Sequence, residues 1–472
     1  MNANEFRHYG RLIIDLVTNY WESLRKRTPL PNVKPGFIHK LVPQDPPITS
    51  EPWEEIFNDI DKVVVDCNTH WHHPSFFAYL PTGCSYQAIM GDILSGGLAS
   101  VGFSWKSSPS MTELEISMTN WLAKSLGLPS EFLNTDGGSA VGIIQSTASE
   151  ATFVAILAAR GRAVERIKGS EGCMEQEQQN VSDEGRSPGE LCHYPYHDPA
   201  TVAKLVAYCS DQAHSSVEKG AMLAAVRLRK LKTIRGGQFD NFYVTGKILE
   251  EAITIDRRNG LVPFIFIMTL GTTSTCGVDP IDELGPICQR EKIWIHVDAA
   301  YAGAFLICPE YRYLTRGFEY IDSFNMNAHK ALLINFDCSP MWFRNGKEIS
   351  KYFEVNPIYL KHDQTCATDY RMTELAKYFE VLIQKDSLFE LFVPRTWGLV
   401  CFRLKDSTNE MNEELNRRIN EDQRIHVVAS AVHGVYFLRI VVCSTLTTHE
   451  DIKQAHAIIH NFAADVRKDL KQ

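Results

Sequence analysis

Ser323-Phe-Asn-Met-Asn-Ala-His-Lys330 and, upstream of it, Ile293-Trp-Ile-His-Val-Asp298 followed by Ala299 and Ala300 are the stretches that decide the fold. The first carries a lysine just past a short β-prone run. The second is an apolar strand that ends in a carboxylate. A strand-end aspartate followed about 30 residues later by a lysine after a second strand suits pyridoxal phosphate chemistry. The lysine amine can form a Schiff base with the cofactor's aldehyde, and the aspartate can keep the pyridine nitrogen protonated.

Around this pair, β-rich runs alternate with helical patterns. The runs are Leu205–Cys209, Pro263–Met268, Ile293–Val297 and Ser339–Phe343, and helices are expected over Lys247–Asp256 and Ile281–Arg290. Such alternation predicts an α/β fold with a mostly parallel sheet and helices on both faces. Ligands of such sheets bind beyond the carboxyl ends of the strands, which is where Asp298 lies.

Three regions are expected. Residues 1–85 form an N-terminal helical arm: Phe6, Tyr9, Ile13, Leu16, Tyr20 and Leu24 recur at helical spacing ahead of a Pro-rich stretch. Such a segment has no core of its own and needs the rest of the chain or a partner subunit to pack on. Residues 86–371 form the large domain and 372–472 a smaller α/β domain. In the latter, helices are expected near Leu375–Gln384 and Glu410–Asn420, and strands near Trp397–Phe402 and Tyr436–Val442. Residues ~168–200, rich in Glu, Gln, Gly, Ser and Pro, read as an exposed polar insertion.

Composition narrows the partners. The 472 residues carry a net charge of -9, which gives no basic footprint for nucleic acid. The longest apolar stretch, Leu261–Leu270, is too short for a bilayer. Glu5 and Asp15 in the first helix argue against an organelle-targeting peptide. Twelve cysteines without any C-x-x-C spacing suggest reduced thiols, so a soluble cytoplasmic protein is expected.

Other constellations are weaker singly. Thr147 and Glu150 have capping-box spacing ahead of a helix whose first turn, with Ser149, could hold a phosphate. His214 follows the strand Leu205–Cys209 and could lie on an aromatic ring, although loop histidines more often only bond their own loop. Thr272 and Thr273 read as turn residues. His70-Trp-His-His73 lacks the carboxylates or cysteines that would complete a ligand set and reads as structural or substrate-pocket, and His193, Tyr194 and His197 read as a solvated loop, so no metal is expected.

Taken together, ordered stretches along nearly the whole chain resemble the group II pyridoxal-phosphate decarboxylases, specifically the aromatic-L-amino-acid decarboxylases. They are Thr69-His-Trp-His, Phe76-Phe-Ala-Tyr-Leu-Pro-Thr82, Gly102-Phe-Ser-Trp105, Thr147-Ala-Ser-Glu-Ala151 and Ser210-Asp-Gln-Ala-His-Ser-Ser-Val-Glu218. They continue with Thr269-Leu-Gly-Thr-Thr273, His296-Val-Asp-Ala-Ala-Tyr-Ala-Gly303, Asn327-Ala-His-Lys330, Asn335-Phe-Asp-Cys338 and Tyr359-Leu-Lys-His362. The resemblance implies the aminotransferase-like fold type I, with a seven-stranded central sheet, and a homodimer with its active sites at the interface.

The resemblance also implies roles. Lys330 would hold pyridoxal 5′-phosphate, Asp298 would pair with its ring nitrogen, Ala300 would pack on the ring and His214 stack on it. Ala148, Ser149, Thr273 and Asn327 would contact the cofactor, and His329 would belong to the catalytic set. Thr82 and His214 would border the substrate, with Tyr79, Pro81 and Phe103 shaping an aromatic pocket. Tyr359, on a closing loop, would protonate Cα.

The implied reaction is decarboxylation of dopa, 5-hydroxytryptophan, tyrosine or histidine. Relatives that make aldehydes replace either the loop tyrosine or the stacking histidine, and this chain keeps both. The chain departs from the family pattern in three ways. Thr368-Asp-Tyr-Arg371 runs directly into Met372-Thr-Glu-Leu, where the family has a Gln-Ile-Pro-Leu-Gly-Arg-Arg segment and a long helix. Ser146 and Leu80 stand where glycine and phenylalanine are common, and the polar insertion is extra. An aldehyde synthase and a catalytically impaired paralogue or isoform are the alternatives.

Overall fold

Strands whose every residue is apolar are stable only when both of their faces are covered, and that condition organises the large unit. In chain order the computed structural model contains β1 (Val141–Gln145), β2 (Leu205–Ser210), β3 (Arg227–Leu231), the short β4 (Ile234–Gly236) and β5 (Asn241–Tyr243), β6 (Val262–Thr269), β7 (Trp294–Asp298), β8 (Ser323–Asn325) and β9 (Ser339–Phe343). The structure describes residues 1–102, 105–135, 137–170, 196–353, 370–395, 397–442, 444 and 446–469. By contacts the chain divides into two units: residues 1–99 with 114–352, and residues 100–113 with 353–472.

In the first unit seven strands form one sheet in the order β1-β9-β8-β7-β6-β2-β3. Six run in one direction. Only β9 opposes its neighbours, pairing antiparallel with both β1 and β8. Alternate residues feed two cores. Val206 and Tyr208 of β2, Phe266 and Met268 of β6, and Ile295 and Val297 of β7 join the helices Gly246–Arg258 and Ile281–Glu291 on one face. Leu205, Ala207 and Cys209, with Ile265, Ile267 and Trp294, join α5 (Ala148–Ser170) and the helix Ser215–Leu223 on the other.

The register of β6, β7 and β8 places Thr269, Asp298 and Asn325 side by side at their carboxyl ends. A buried polar chain fixes the β7–β8 pairing. The Trp294 indole N–H donates to Ser323 Oγ (2.8 Å), which meets His296 Nδ1 (2.8 Å), while His296 Nε2 meets Asn325 Oδ1 (3.0 Å). Burial pushes the His296 imidazole down to about 3, so it is neutral. With Ser323 Oγ donating to Nδ1, the Nε2–H donates to Asn325 Oδ1, and the Asn325 Nδ2 group is buried without a partner.

Before the sheet come α1 (Ala3–Ser23), α2 (Trp53–Ile60), α3 (Tyr86–Leu98) and α4 (Pro109–Leu126). Asn2 and Glu5 form a reciprocal cap at the start of α1. Neither α1 nor α3 buries a single residue within the chain. The histidine run is structural: His70 is buried with Nδ1 3.1 Å from the Tyr20 hydroxyl, and His72 packs on Trp21. His197 is half-buried, against Arg160 and the Tyr352 carbonyl. His193, Tyr194 and most of the polar insertion lie outside the described residues.

The second unit has its own sheet, β10 (Phe389–Leu391), β11 (Leu399–Leu404), β13 (Val435–Val441) and β12 (Val428–Val432) in that spatial order, all antiparallel. Helices Tyr370–Lys385, Asn409–Asp422 and His449–Asp469 share its core of Phe379, Phe402, Leu415, Leu438 and Ile459. The strand expected from Trp397 starts at Leu399, because Trp397 adopts a left-handed φ of 50° and points into solvent. Among the described residues no cysteine is in a disulfide, and no helix is long and apolar enough to cross a membrane.

Replacing Ser323 by Ala should leave the Trp294 N–H and His296 Nδ1 buried without partners. The expected cost is about 1–3 kcal/mol, read as a lower urea midpoint. An unchanged midpoint would show that this chain does not hold the β7–β8 register.

Candidate functional site

Asp298 ends β7 and is 4% exposed. Its Oδ1 accepts the Ala300 N–H (3.0 Å), and among the described residues Oδ2 accepts none. From β8 the chain passes through Met326 and Asn327 into a single helical turn, Ala328–Ala331, which carries Lys330. The Asn327 N–H donates to the Ala300 carbonyl (3.1 Å), lacing the two strand ends together. The Lys330 amine forms no hydrogen bond or ion pair among the described residues.

These groups open on a cavity of about 260 Å³. Its wall includes Thr147, Ala148 and Ser149 at the start of α5, His214 and Ser216, Thr269, Gly271 and Thr273 after β6, and Asp298, Ala300, Tyr301, Asn327, His329 and Lys330. Leu80 and Phe336 are its apolar residues of larger size. Gly271 sits at φ 88° with Ala302 against it, so a side chain there would collide with the loop after Asp298.

Each wall has a local cause. The Thr147 hydroxyl accepts the Glu150 N–H (3.2 Å), the half of the cap expected from their spacing, while Glu150 Oε2 reaches the Ser146 N–H (3.3 Å) rather than that of Thr147. The first-turn amides of Ala148 and Ser149 have no acceptor within the helix and, with the dipole behind them, suit an anion. His214 caps the helix Ser215–Leu223: its Nδ1 accepts the Ser216 N–H (3.1 Å), which leaves the ring proton on Nε2. His329 is held likewise, with Nδ1 accepting the Cys338 N–H (2.8 Å). Asn327 Oδ1 accepts from Ser339 Oγ (2.7 Å), which leaves its amide N–H groups to act as donors.

Burial works on the central pair from opposite sides. It pushes the Asp298 carboxyl up, opposed first by the Ala300 N–H and then by the nearby Lys330 and His214. It pushes the Lys330 amine down, opposed by Asp298. Both shifts favour neutral forms, the state an amine needs to attack an aldehyde. Burial also lowers His329.

Ala148, Ser149, His214, Thr273, Asp298, Ala300, Asn327, His329 and Lys330 are thus gathered on one cavity. Tyr79, Pro81 and Thr82 are not on its wall; Tyr79 is exposed and stacks on Trp71 at 5.3 Å, and Leu80 is the member of that segment that reaches the cavity. Phe103, Tyr359 and the junction after the family's Tyr-containing loop lie at or beyond the limits of the described residues. Thr269, Tyr301 and Phe336 line the cavity without having been singled out. Thr269 Oγ1 is buried with no partner, and only the register beside Asp298 marks it.

The donor set fits a phosphorylated pyridine aldehyde. It offers an unpartnered carboxylate oxygen for a ring nitrogen, a free amine for the aldehyde, and a helix start with hydroxyls for the phosphate. Comparison with known proteins agrees. The family model described as the pyridoxal-dependent decarboxylase conserved domain matches residues 35–183 and 190–375. The aromatic-L-amino-acid decarboxylase of Manduca sexta is 44% identical over 96% of this chain and 90% of the relative. That alignment spans 486 positions, whereas 96% of 472 residues is about 453, so about 33 positions face a gap in this chain.

Among solved structures, the Oryza sativa TDC with PLP and tryptamine superposes with a TM-score of 0.67 at 32% identity, covering 98% of this chain and 99% of that one. The 4-hydroxyphenylacetaldehyde synthase of Rhodiola rosea gives 0.65 at 31%, with the same coverage.

In the cofactor-free protein, competitive acylation followed by mass spectrometry should give Lys330 a reactivity midpoint below the ordinary lysine value of about 10.4. Asp298→Ala removes the charge that holds the amine's pKa up, so the midpoint should fall further. A midpoint at or above the ordinary value would contradict the burial argument.

Proposed function

The chain belongs to the pyridoxal-dependent decarboxylase family, and we infer that it is a pyridoxal 5′-phosphate-dependent carboxy-lyase of aromatic L-amino acids. The observation that carries this reading is the buried Asp298 and free Lys330 on one cavity with His214. When bound, the cofactor supplies a protonated ring able to take up the electron pair released as the Cα–carboxylate bond breaks.

The chain's own residues do the rest. Lys330 Nζ would hold the cofactor through its aldehyde. Asp298 Oδ2 would pair with the ring nitrogen and hold its proton; the opposite charge would restore the carboxylate that burial alone disfavours. His214 would flank the ring with an Nε2–H donor, and Ala300, offering only a methyl, would let the ring lie close. The amides of Ala148 and Ser149, with the Ser149 and Thr273 hydroxyls and the Asn327 amide, would hold the phosphate. Tyr359 delivers the proton that replaces CO2 at Cα, and His329, neutral and fixed by Cys338, supports the lysine turn.

Dopa, 5-hydroxytryptophan, tyrosine and histidine are the candidate substrates. Leu80 and Phe336 offer apolar walls to their rings. We place the protein in the cytoplasm as a homodimer with active sites at the interface. The exposed Tyr86, Met90, Ile93 and Leu94 of α3 support this, as does the apolar groove that α3 shares with Ile13, Ile14 and Val17 of α1.

The similarity to the Rhodiola rosea synthase keeps a second reading in view. That route consumes O2 and water and releases the aldehyde, CO2, ammonia and peroxide. The presence of both His214 and Tyr359 favours the amine.

A turnover panel of the four amino acids with product identification tests the reading. Amine and CO2 in equal amounts are expected, Lys330→Ala should lose both turnover and the visible absorbance of lysine-bound cofactor, and cofactor-loaded protein inert to every substrate would refute it. A version carrying the family segment after Arg371 separates a wrong assignment from a shortened, impaired chain. Tyr359→Phe should cut amine output by tenfold or more and raise peroxide release; retained amine output would remove Tyr359 from the proton step.

A further inference from the structure

Phe336 is an aromatic wall of the cavity that is 67% exposed, so packing from its own surroundings does not fix it. Among the described residues its one aromatic neighbour is the His329 ring, edge-on at 4.7 Å. The loop that carries it, residues 332–338, is instead held from the segment before α3. The Gly83 N–H donates to the His329 carbonyl, and Ser85 Oγ donates to the Leu333 carbonyl (2.9 Å). Asn335 Nδ2 donates to Asp92 Oδ2 at 2.6 Å, across 243 residues of sequence. A Cβ on Gly83 would lie 2.7 Å from the Ile334 carbonyl oxygen, so only glycine lets the two backbones meet.

Asn335 Oδ1 is buried without a partner, so the Asn335 side chain hangs on the single bond to Asp92. Asp92 lies on α3, a helix that buries nothing within the chain. On the other side of Asn335, Phe336 follows directly, and the Cys338 N–H is then fixed by His329 Nδ1.

We propose that Asp92 is a positioning residue: through Asn335 it sets where the Phe336 ring stands in the cavity, and so how tightly an aromatic side chain is held. This rests on the aromatic decarboxylase reading only for the identity of the substrate ring. Asp92 touches neither substrate nor cofactor, so its loss acts on binding of the ring rather than on the bond-breaking step.

The test uses the cofactor-loaded full chain. Asp92→Ala should raise KM for the preferred aromatic amino acid about five- to tenfold, with kcat within twofold and an unchanged cofactor spectrum. Asp92→Asn, which keeps an oxygen acceptor, should stay near wild type. Asn335→Asp sets two carboxylates against each other and should match or exceed the defect of Asp92→Ala. Combining Asn335→Asp with Asp92→Asn remakes the bond with donor and acceptor exchanged and should restore KM. Phe336→Leu should raise KM alike, and adding Asp92→Ala to it should make KM no worse.

A readout independent of turnover is calorimetric binding of 3-(4-hydroxyphenyl)propionate, which has the ring and carboxylate but no reacting amine. Its affinity should fall and recover in the same order. If wild type turns over nothing while this binding still follows the Asp92–Asn335 pair, the positioning role survives and the decarboxylase reading fails. Equal ligand binding in Asp92→Ala and wild type, or no rescue by the exchanged pair, would overturn the proposal.

Discussion

The structure depends on placing an acid and an amine together where water is scarce. Asp298 ends one strand and Lys330 sits on the helical turn after its parallel neighbour, and burial disfavours the charged form of each. Neither would be tolerated at the end of a sheet without something to complete it. The Ala300 N–H takes one oxygen of the acid, and the other faces the cavity. The site is therefore poised for a ligand that brings its own positive charge to the acid and its own electrophile to the amine. Those two demands together describe a protonated pyridine aldehyde more narrowly than either does singly.

The scaffold serves this pair by register. In a parallel sheet a slip of one residue turns a side chain to the opposite face, which would carry Asp298 away from the cavity. The Trp294–Ser323–His296–Asn325 chain resists such a slip, because its three bonds form together at one register. It achieves this with a histidine that stays neutral. Capping does comparable work around the rim, where Thr147 and His214 each start a helix and face the cavity at once.

Much of this was legible in the sequence. The all-apolar runs became β2, β6, β7 and β9 because strands buried on both faces leave an unbroken hydrophobic signal. The Thr147–Glu150 spacing gave the true start of α5. Short pieces were harder to see: β8 is three residues long, and β1, at the sheet's edge, begins as Val-Gly and carries no run of its own. Polar residues inside strands, such as His296 and Ser323, declare their role only through partners across the sheet. Tyr79 and Leu80 show the same difficulty at the site. Adjacent residues in an irregular segment point in directions set by distant backbone, and the left-handed φ of Tyr79 turns its ring out toward Trp71.

A helix that buries nothing of its own takes its order from whatever lies against it. α1 and α3 are both of that kind, and α3 adjoins the segment that steadies the loop after Lys330. Where a second subunit supplies the cover, the order of these helices becomes a matter of mass action. Dilution then works on them as a local denaturant: it loosens the rim of the cavity while leaving the central sheet, which owes its core to its own chain, intact.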